Sequence, residues 1–420
     1  MKSHYQIVVI GGGTAGIMTA ARLLKKDSRL DIAIIEPADT HYYQPAWTLV
    51  GAGAYSYKKT AKSMASIMPK KVNWIKDFAI AFDPENNTVS TKSSGNITYK
   101  YLVVATGLVM EPSMIEGLQE ALDKGVVCSN YTNPKHTWEV LKNFKGGNAI
   151  FTQPTTPIKC GGAPQKIAYL AADYLRKKRL AHTSNVVFAT PGSVIFGVKP
   201  IRETLMKVIG RYGIHFKPFY APHKIDAENK FIYFRHVAPE ENKCVINEDT
   251  TIGEISTDDN IIKLPFDMLH IAPPQAAPKF VRTSSLVNDA GWLDVDHHSL
   301  QHNTYPNIFG LGDVAALPTA KTGAAIRKQA PVVADNILKL MKHQEANNKA
   351  YNGYSSCPLV TGYGKMTLAE FDYDGNFTPD PKLKRMLVFN SAKEHRRLYI
   401  FKKVMLPYLY WNKMLKGKDV

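Results

Sequence analysis

The chain has 420 residues, 45% of them hydrophobic, which is enough material for two or three packed domains. Its four cysteines (Cys128, Cys160, Cys244, Cys357) are too few and too scattered for a secreted disulfide framework, and none has zinc-site spacing, so no metal is expected. The formal net charge of +17 comes with no recognisable nucleic-acid-binding module, so no nucleic-acid partner is expected either.

Residues Gln6 to Ile10 read as a buried strand running into Gly11, Gly12, Gly13, Thr14, Ala15 and Gly16, which satisfy the spacing GxGxxG. The first glycine permits a sharp turn, the second lets backbone approach a pyrophosphate, and the third lets the following helix pack on the strand. The helix N-terminus then offers free N–H groups to phosphate. About twenty residues on, the apolar run Ile32 to Ile35 ends in Glu36, where a ribose-binding carboxylate belongs. Met1 leads almost directly into this strand, and no run approaches the ~18 apolar residues of a membrane span. The expected location is therefore the cytoplasmic side.

The segment His41 to Trp47 is aromatic and broken by Pro45, and reads as a loop crossing the nucleotide. Strand-like pieces follow at Val72 to Ile75, Phe78 to Phe82, Thr88 to Thr91, Ile97 to Tyr99 and Leu102 to Ala105, the last leading into Thr106-Gly107. Much later Thr304 to Asp313 closes in Gly312-Asp313, whose carboxylate would meet a ribityl chain. Together with the glycine turn these pieces point to FAD rather than NAD. Lys321-Thr322-Gly323-Ala324 then opens a helix to about Met341, its N-terminus directed back at the cofactor.

Between the flavin pieces, Asn148 to Ile271 is long enough for an inserted domain. Its first strand, Ala149 to Thr152, runs into Gln153-Pro154 and onward to Pro164 rather than into a second glycine fingerprint, so a pyridine-nucleotide cradle is missing. In its place stands Cys160, just ahead of a helix from about Gln165 to Arg176. A thiol there, near Lys159 and Lys166, gains thiolate stability from the dipole and the cations. After the polar linker His343 to Lys349 comes Cys357, in a loop kinked by Pro358, ahead of the strand Lys365 to Tyr373. Two such thiols suggest a redox pair. Cys244 reads as packing. Cys128, in Val126 to Ser129, is ambiguous.

HYYQPAWTLVGAG (His41 to Gly53), PIKCGGAPQK (Pro157 to Lys166), YSSCPLVTGY (Tyr354 to Tyr363) and LPYLYWN (Leu406 to Asn412) carry a resemblance that runs nearly end to end. In these stretches the chain resembles a sulfide:quinone oxidoreductase, of the branch that includes the mitochondrial enzymes. The resemblance implies an α/β fold of tandem Rossmann-like dinucleotide-binding domains, glutathione-reductase type, with a C-terminal membrane-facing amphipathic segment. The expected division is a FAD-binding domain over 1–112 and 291–345, a second Rossmann-like domain over 113–290, and a redox-cysteine and quinone segment over 346–420. It further implies redox roles for Cys160 and Cys357, places Lys402 near them with Lys166 as its catalytic neighbour, and by position suggests Cys128 as a relay or trap for sulfur chains. FAD would be held by Gly11, Gly13, Thr14, Ala15, Gly16, Glu36, Gln44, Ala79, Thr106, Gly107, Asp313, Lys321, Thr322, Gly323 and Ala324.

The implied chemistry is attack of sulfide on a Cys160–Cys357 disulfide, leaving a persulfide on Cys357 and a flavin-facing thiolate at Cys160. Two electrons then pass through flavin to membrane quinone, and the sulfane sulfur passes to a small acceptor or polysulfide. A homo-oligomer is left open. The alternatives are a type II NADH:quinone dehydrogenase, against which the missing glycine fingerprint speaks, and a non-catalytic flavin-containing sensor or binding protein. Pro381 to Val420 carries eleven Lys or Arg against two acids, a net +9. Leu398, Phe401 and Met405 before Pro407, and Tyr410, Trp411, Met414 and Leu415 after it, predict two short amphipathic helices joined at a proline. They are expected to lie on a peripheral membrane surface, with Arg396, Arg397, Lys403, Lys413 and Lys416 at the headgroups, and to be separable from the flavin domain; the alternative is that the segment packs on the second domain or a partner subunit with its lysines solvated.

Overall fold

A computed structural model of the protein describes residues 2–239, 248–257, 260–347 and 349–419. Its first half is organised by a seven-stranded sheet in which Asn73–Ile75, Ile32–Ile35, His4–Ile10, Asn96–Val104 and Ile308–Gly310 run parallel. Such strands are covered on both faces and so read as continuous apolar runs. Ile7, Val8, Val9, Ile32, Ile34, Val103 and Ile308 are all fully buried here. The antiparallel strands Ala79–Asp83 and Thr88–Thr91 extend the sheet from the first half of Asn96–Val104. The two pieces expected at Ile97 to Tyr99 and Leu102 to Ala105 are thus one strand. Lys100 is exposed, and Tyr101 continues the pairing opposite Ile7.

A second parallel sheet, in the order His215–Lys217, Ser184–Ala189, Gly147–Thr152 and Met268–His270, carries the helices Ala163–Lys177 and Lys199–Tyr212. An antiparallel sheet of Tyr220–Asp226, Phe231–His236, Ile261–Pro265 and Ile255–Thr257 is appended to it. The chain crosses between the two halves at Val109–Met110 and again at Gln275–Ala276, and the crossings pair with each other. Cys244, read as a packing residue, lies outside the described residues.

The segment around Cys357, expected as a kinked loop, is a strand. Ser355–Gly362 pairs antiparallel with Lys365–Phe371, Cys357 opposite Ala369 and Pro358 opposite Leu368. A residue before proline is pushed toward extended backbone, and a proline is tolerated where the strand lies at a sheet edge. The hairpin packs on the helix Ala163–Lys177, in one core with Ile167, Leu170 and Leu359.

The C-terminal segment also departs from expectation. Arg396–Ile400, a π turn over Phe401–Met405 and Leu406–Asn412 follow one another without a break, so Pro407 does not divide two helices. The wider π turn upstream takes up the carbonyl that the proline ring would strike and the N–H it lacks. Leu398 belongs to the core of the second half, while Tyr410, Trp411, Met414 and Leu415 are buried with the helix Thr14–Lys26 in the core of the first. These apolar residues therefore face protein, and the segment is an integral part of the fold. The large apolar side chains left in the open over this stretch are Leu387, Phe389, Ile400, Val404, Met405 and Tyr408. Among the described residues no helix is long and apolar enough to cross a membrane.

Candidate active site

The glycine turn follows the strand His4–Ile10. Gly11 has φ +101°, and a Cβ there would lie 2.5 Å from the Ala105 carbonyl, so the turn admits no side chain at this position. The Gly12 N–H donates to Glu36 Oε2 at 2.7 Å and the Ala38 N–H to Glu36 Oε1 at 2.8 Å, which fixes the carboxylate beside the turn. Open space fronts Gly13, and the helix Thr14–Lys26 begins there with no side-chain cap. Its first N–H groups have no intrahelical acceptor. Thr106 Oγ1, just past the strand Asn96–Val104, is buried without a protein partner, and Gly107 has φ +69° with open space in front. This cradle fits a dinucleotide pyrophosphate. Ala79, by contrast, sits at the start of its strand opposite Thr91, packed on the face of the sheet.

Asp313, on the 3-10 turn Gly312–Val314, is flanked by two cations, Lys159 and Lys321. Burial raises its carboxyl above the usual range, against the pull of both lysines. Lys321 is lowered to about 8 by burial, Asp313 opposing, and its ammonium donates to the Ala315 carbonyl at 3.0 Å and lies 3.9 Å over the Trp292 ring. Thr322 caps the helix Gly323–Leu340 through the Ala325 N–H and meets Ser355 Oγ at 2.9 Å. Lys159, expected beside the Cys160 thiol, instead donates to Gln44 Oε1 at 2.6 Å. Its backbone is held by Gln275 Oε1 and by a bridge to Lys321, which turn the side chain toward the flavin pieces.

Cys160 and Cys357 stand together although 197 positions separate them in the numbering, and their thiols are hydrogen-bonded to each other. Cys160 is brought there by a left-handed backbone, φ 52°, rarely adopted outside glycine; its N–H donates to Lys321 O at 2.7 Å and its carbonyl accepts from Ala163 N. Gly162 admits the hairpin, since a Cβ there would lie 2.7 Å from Cys357 Sγ. Lys166, 2% exposed on the first turns of Ala163–Lys177, donates to Cys160 Sγ at 2.9 Å. The hydrogen bond from Cys357 and the Lys166 charge hold the Cys160 thiol well below its ordinary pKa, while Cys357 is pushed well above by the same hydrogen bond and by burial. Lys402, 3% exposed in the π turn, donates to the Pro45 carbonyl at 3.1 Å and is pulled down to about 7 by burial and by Lys166. The pair is thus one ready thiolate and one protonated thiol under two buried amines.

Cys128 does not fit a sulfur relay. It is 1% exposed, bridged to His270, and burial pushes its thiol up to about 12.

The family model for pyridine nucleotide-disulphide oxidoreductases matches residues 5–343. A mouse protein named sulfide:quinone oxidoreductase, mitochondrial, is 39% identical over 418 residues, covering 99% of this chain and 87% of its own length. A Dictyostelium discoideum protein of the same name is also 39% identical, covering 100% of this chain and 87% of its own length. The chain belongs to the sulfide:quinone oxidoreductase family. It is an oxidoreductase with the mixed α/β, Rossmann-like flavoprotein fold of that family. The solved sulfide:quinone oxidoreductase of Aquifex aeolicus shares this fold at a TM-score of 0.77 and 22% identity, over 99% of this chain and 92% of that one. The mitochondrial names of these relatives conflict with the cytoplasmic expectation.

Three residues have contacts at the site that the sequence reading did not assign to them. Tyr131 places its hydroxyl 3.4 Å from the Cys160 carbonyl, Gln275 holds Lys159, and Pro45 supplies the carbonyl that receives Lys402. Each acts through a single contact, a phenol hydroxyl, a side-chain amide or a backbone carbonyl, that no spacing rule encodes.

Proposed function

We propose that this oxidoreductase is a FAD-dependent sulfide:quinone oxidoreductase that oxidises sulfide through a Cys160/Cys357 disulfide. The observation that carries the reading is the adjacent pair of thiols, Cys160 partly and Cys357 fully buried, beside the buried amines of Lys166 and Lys402. In the disulfide form, hydrosulfide adds to Cys357 Sγ, the S–S bond breaks, and Cys160 leaves as thiolate. Attack at that sulfur is favoured because the more acidic thiol is the better leaving group, and Lys166 stabilises it. A small nucleophile takes the sulfane sulfur from the Cys357 persulfide. Closure of the disulfide from the two thiols then releases the two electrons that sulfide brought in.

FAD, when bound, supplies the two-electron acceptor between the Cys160 thiolate and quinone. Gly11, Gly13, Thr14, Ala15 and Gly16 would hold its pyrophosphate, Glu36 a ribose, and Asp313 the ribityl chain. Gln44, Thr106, Gly107 and Lys321 to Ala324 would line the rest. We place quinone at the exposed apolar face of the C-terminal helix, Ile400, Val404, Met405 and Tyr408, ringed by the exposed Arg396, Arg397 and Lys403 and suited to a peripheral membrane surface.

The test is anaerobic titration with sulfide or NADH, followed at the flavin band. Bleaching by sulfide, and turnover when a soluble quinone is added, are the expected results. Rapid bleaching by NADH and none by sulfide would overturn the reading in favour of an NADH dehydrogenase.

A further inference from the structure

A hydrogen-bonded chain links the C-terminal helix to the glycine turn. The hydroxyl of Tyr410 lies 2.7 Å from Thr14 Oγ1, 396 positions away in the sequence, and 2.5 Å from His41 Nε2. The other ring nitrogen of His41 lies 3.3 Å from the Gly12 carbonyl. His41 and Tyr410 are each 5% exposed. Burial keeps the imidazole neutral, its pKa lowered to about 4, so it carries one N–H. The Gly12 carbonyl only accepts, which puts the hydrogen on Nδ1 and leaves Nε2 as acceptor. Tyr410 then donates to His41 and accepts from the Thr14 hydroxyl.

The chain has a direction, from Thr14 through Tyr410 and His41 to Gly12, and both of its ends lie in the turn. Gly12 and Thr14 flank Gly13, where the open space meets the helix N-terminus. Because the Thr14 hydroxyl spends its hydrogen on Tyr410, the turn presents backbone N–H groups to an anion. The rings of Tyr43 and Trp411, with centroids 4.6 and 5.0 Å from that of Tyr410, hold the phenol in place.

We propose that Tyr410, acting through Thr14 and His41, is a positioning residue for the pyrophosphate of the bound dinucleotide, so that the C-terminal helix is part of the cofactor site. This rests on the FAD reading above. The same helix brings the Lys402 amine within electrostatic reach of both thiols and turns Ile400 and Val404 outward, so one element meets cofactor, thiols and surface.

The test uses the full-length holoprotein. Tyr410→Phe keeps the ring packing and deletes only the hydroxyl; Thr14→Val breaks the same link from the other end. Each should release FAD roughly fivefold to twentyfold faster, as loss of one or two net hydrogen bonds implies, measured by recovery of flavin fluorescence on dilution. The double variant should be no worse than the worse single one, and the ³¹P resonances of the bound pyrophosphate should shift in all three. An unchanged release rate in Tyr410→Phe overturns the proposal. So does a variant whose apo- and holoprotein lose thermal stability equally with ³¹P signals unmoved, the mark of packing alone. Should Tyr410→Phe fail to fold, Thr14→Val carries the same comparison. A parent protein that binds no FAD would instead overturn the cofactor reading.

Discussion

At the scale of the residue, the two thiols differ in what they can do because their surroundings differ. Lys166 donates to Cys160 and the Cys357 thiol shares its hydrogen with it, so Cys160→Ser and Cys357→Ser should each retain FAD yet lose sulfide-driven turnover by about a hundredfold or more, since neither can close a disulfide. Steady-state quinone reduction checks this, and near-parental activity in either variant would sink the redox pair. Gly162→Ala should also slow turnover, because its methyl would press on Cys357 Sγ and Leu359 and spread the thiols. Sulfide reduction in stopped flow should fall with cofactor content unchanged. Lys402 gives a pH signature. Its folded pKa of about 7 lies below the ordinary lysine value, so the unfolded chain binds more protons between pH 7 and about 10, and this residue's contribution to stability rises with pH across that window. Lys402→Met should flatten the rise relative to the parent, as read by urea unfolding at pH 7 and pH 9; parallel pH curves would mean that the amine is not held neutral.

At the scale of the element, the C-terminal helix has two apolar faces, and only one is free. Tyr410, Trp411, Met414 and Leu415 are core, whereas Ile400, Val404, Met405 and Tyr408 are open beside a cluster of basic residues. The double substitution Val404→Glu and Met405→Glu should therefore weaken sedimentation with anionic liposomes at least tenfold, because two carboxylates replace apolar side chains that would enter an anionic interface. FAD content and bleaching by sulfide should stay near the parent's. Binding that is unaffected would place the membrane surface elsewhere. The helical periodicity of this segment was legible in the sequence; which face meets protein was not, since Leu398 and Val404 look alike until a neighbour covers one of them.

At the scale of the whole molecule, the ends of the chain close on each other. Arg22 pairs with Asp419 at 2.6 Å, and a Cβ at Gly417 would lie 2.7 Å from backbone atoms of Ala21 and Arg22. Truncation after Asn390, harmless for a detachable anchor, should strip the first core of Tyr410, Trp411, Met414 and Leu415 and remove Lys402 from the dithiol. The truncated protein is expected to lose several kcal/mol of stability, at about 1.5–3 kcal/mol for each large buried side chain, and to be isolated largely without flavin. Soluble expression with full FAD content would refute the integral role.

The amino-acid sequence alone determined what local chemistry can write: the glycine turn, the acid about twenty residues after it, the missing second cradle and the cysteine ahead of a helix. Each is a requirement on backbone or side chain within a short window, so residue type and spacing suffice to express it. Only the tertiary structure decided what depends on distant neighbours. It brought Cys357 to Cys160 on a strand rather than a loop, turned Lys159 away from the thiol and Lys402 toward it, sealed Cys128, and returned Tyr410 to the turn that begins at Gly11. Burial and partnership are set when segments far apart in the chain pack together, and pKa, exposure and hydrogen-bond direction follow from that packing rather than from composition.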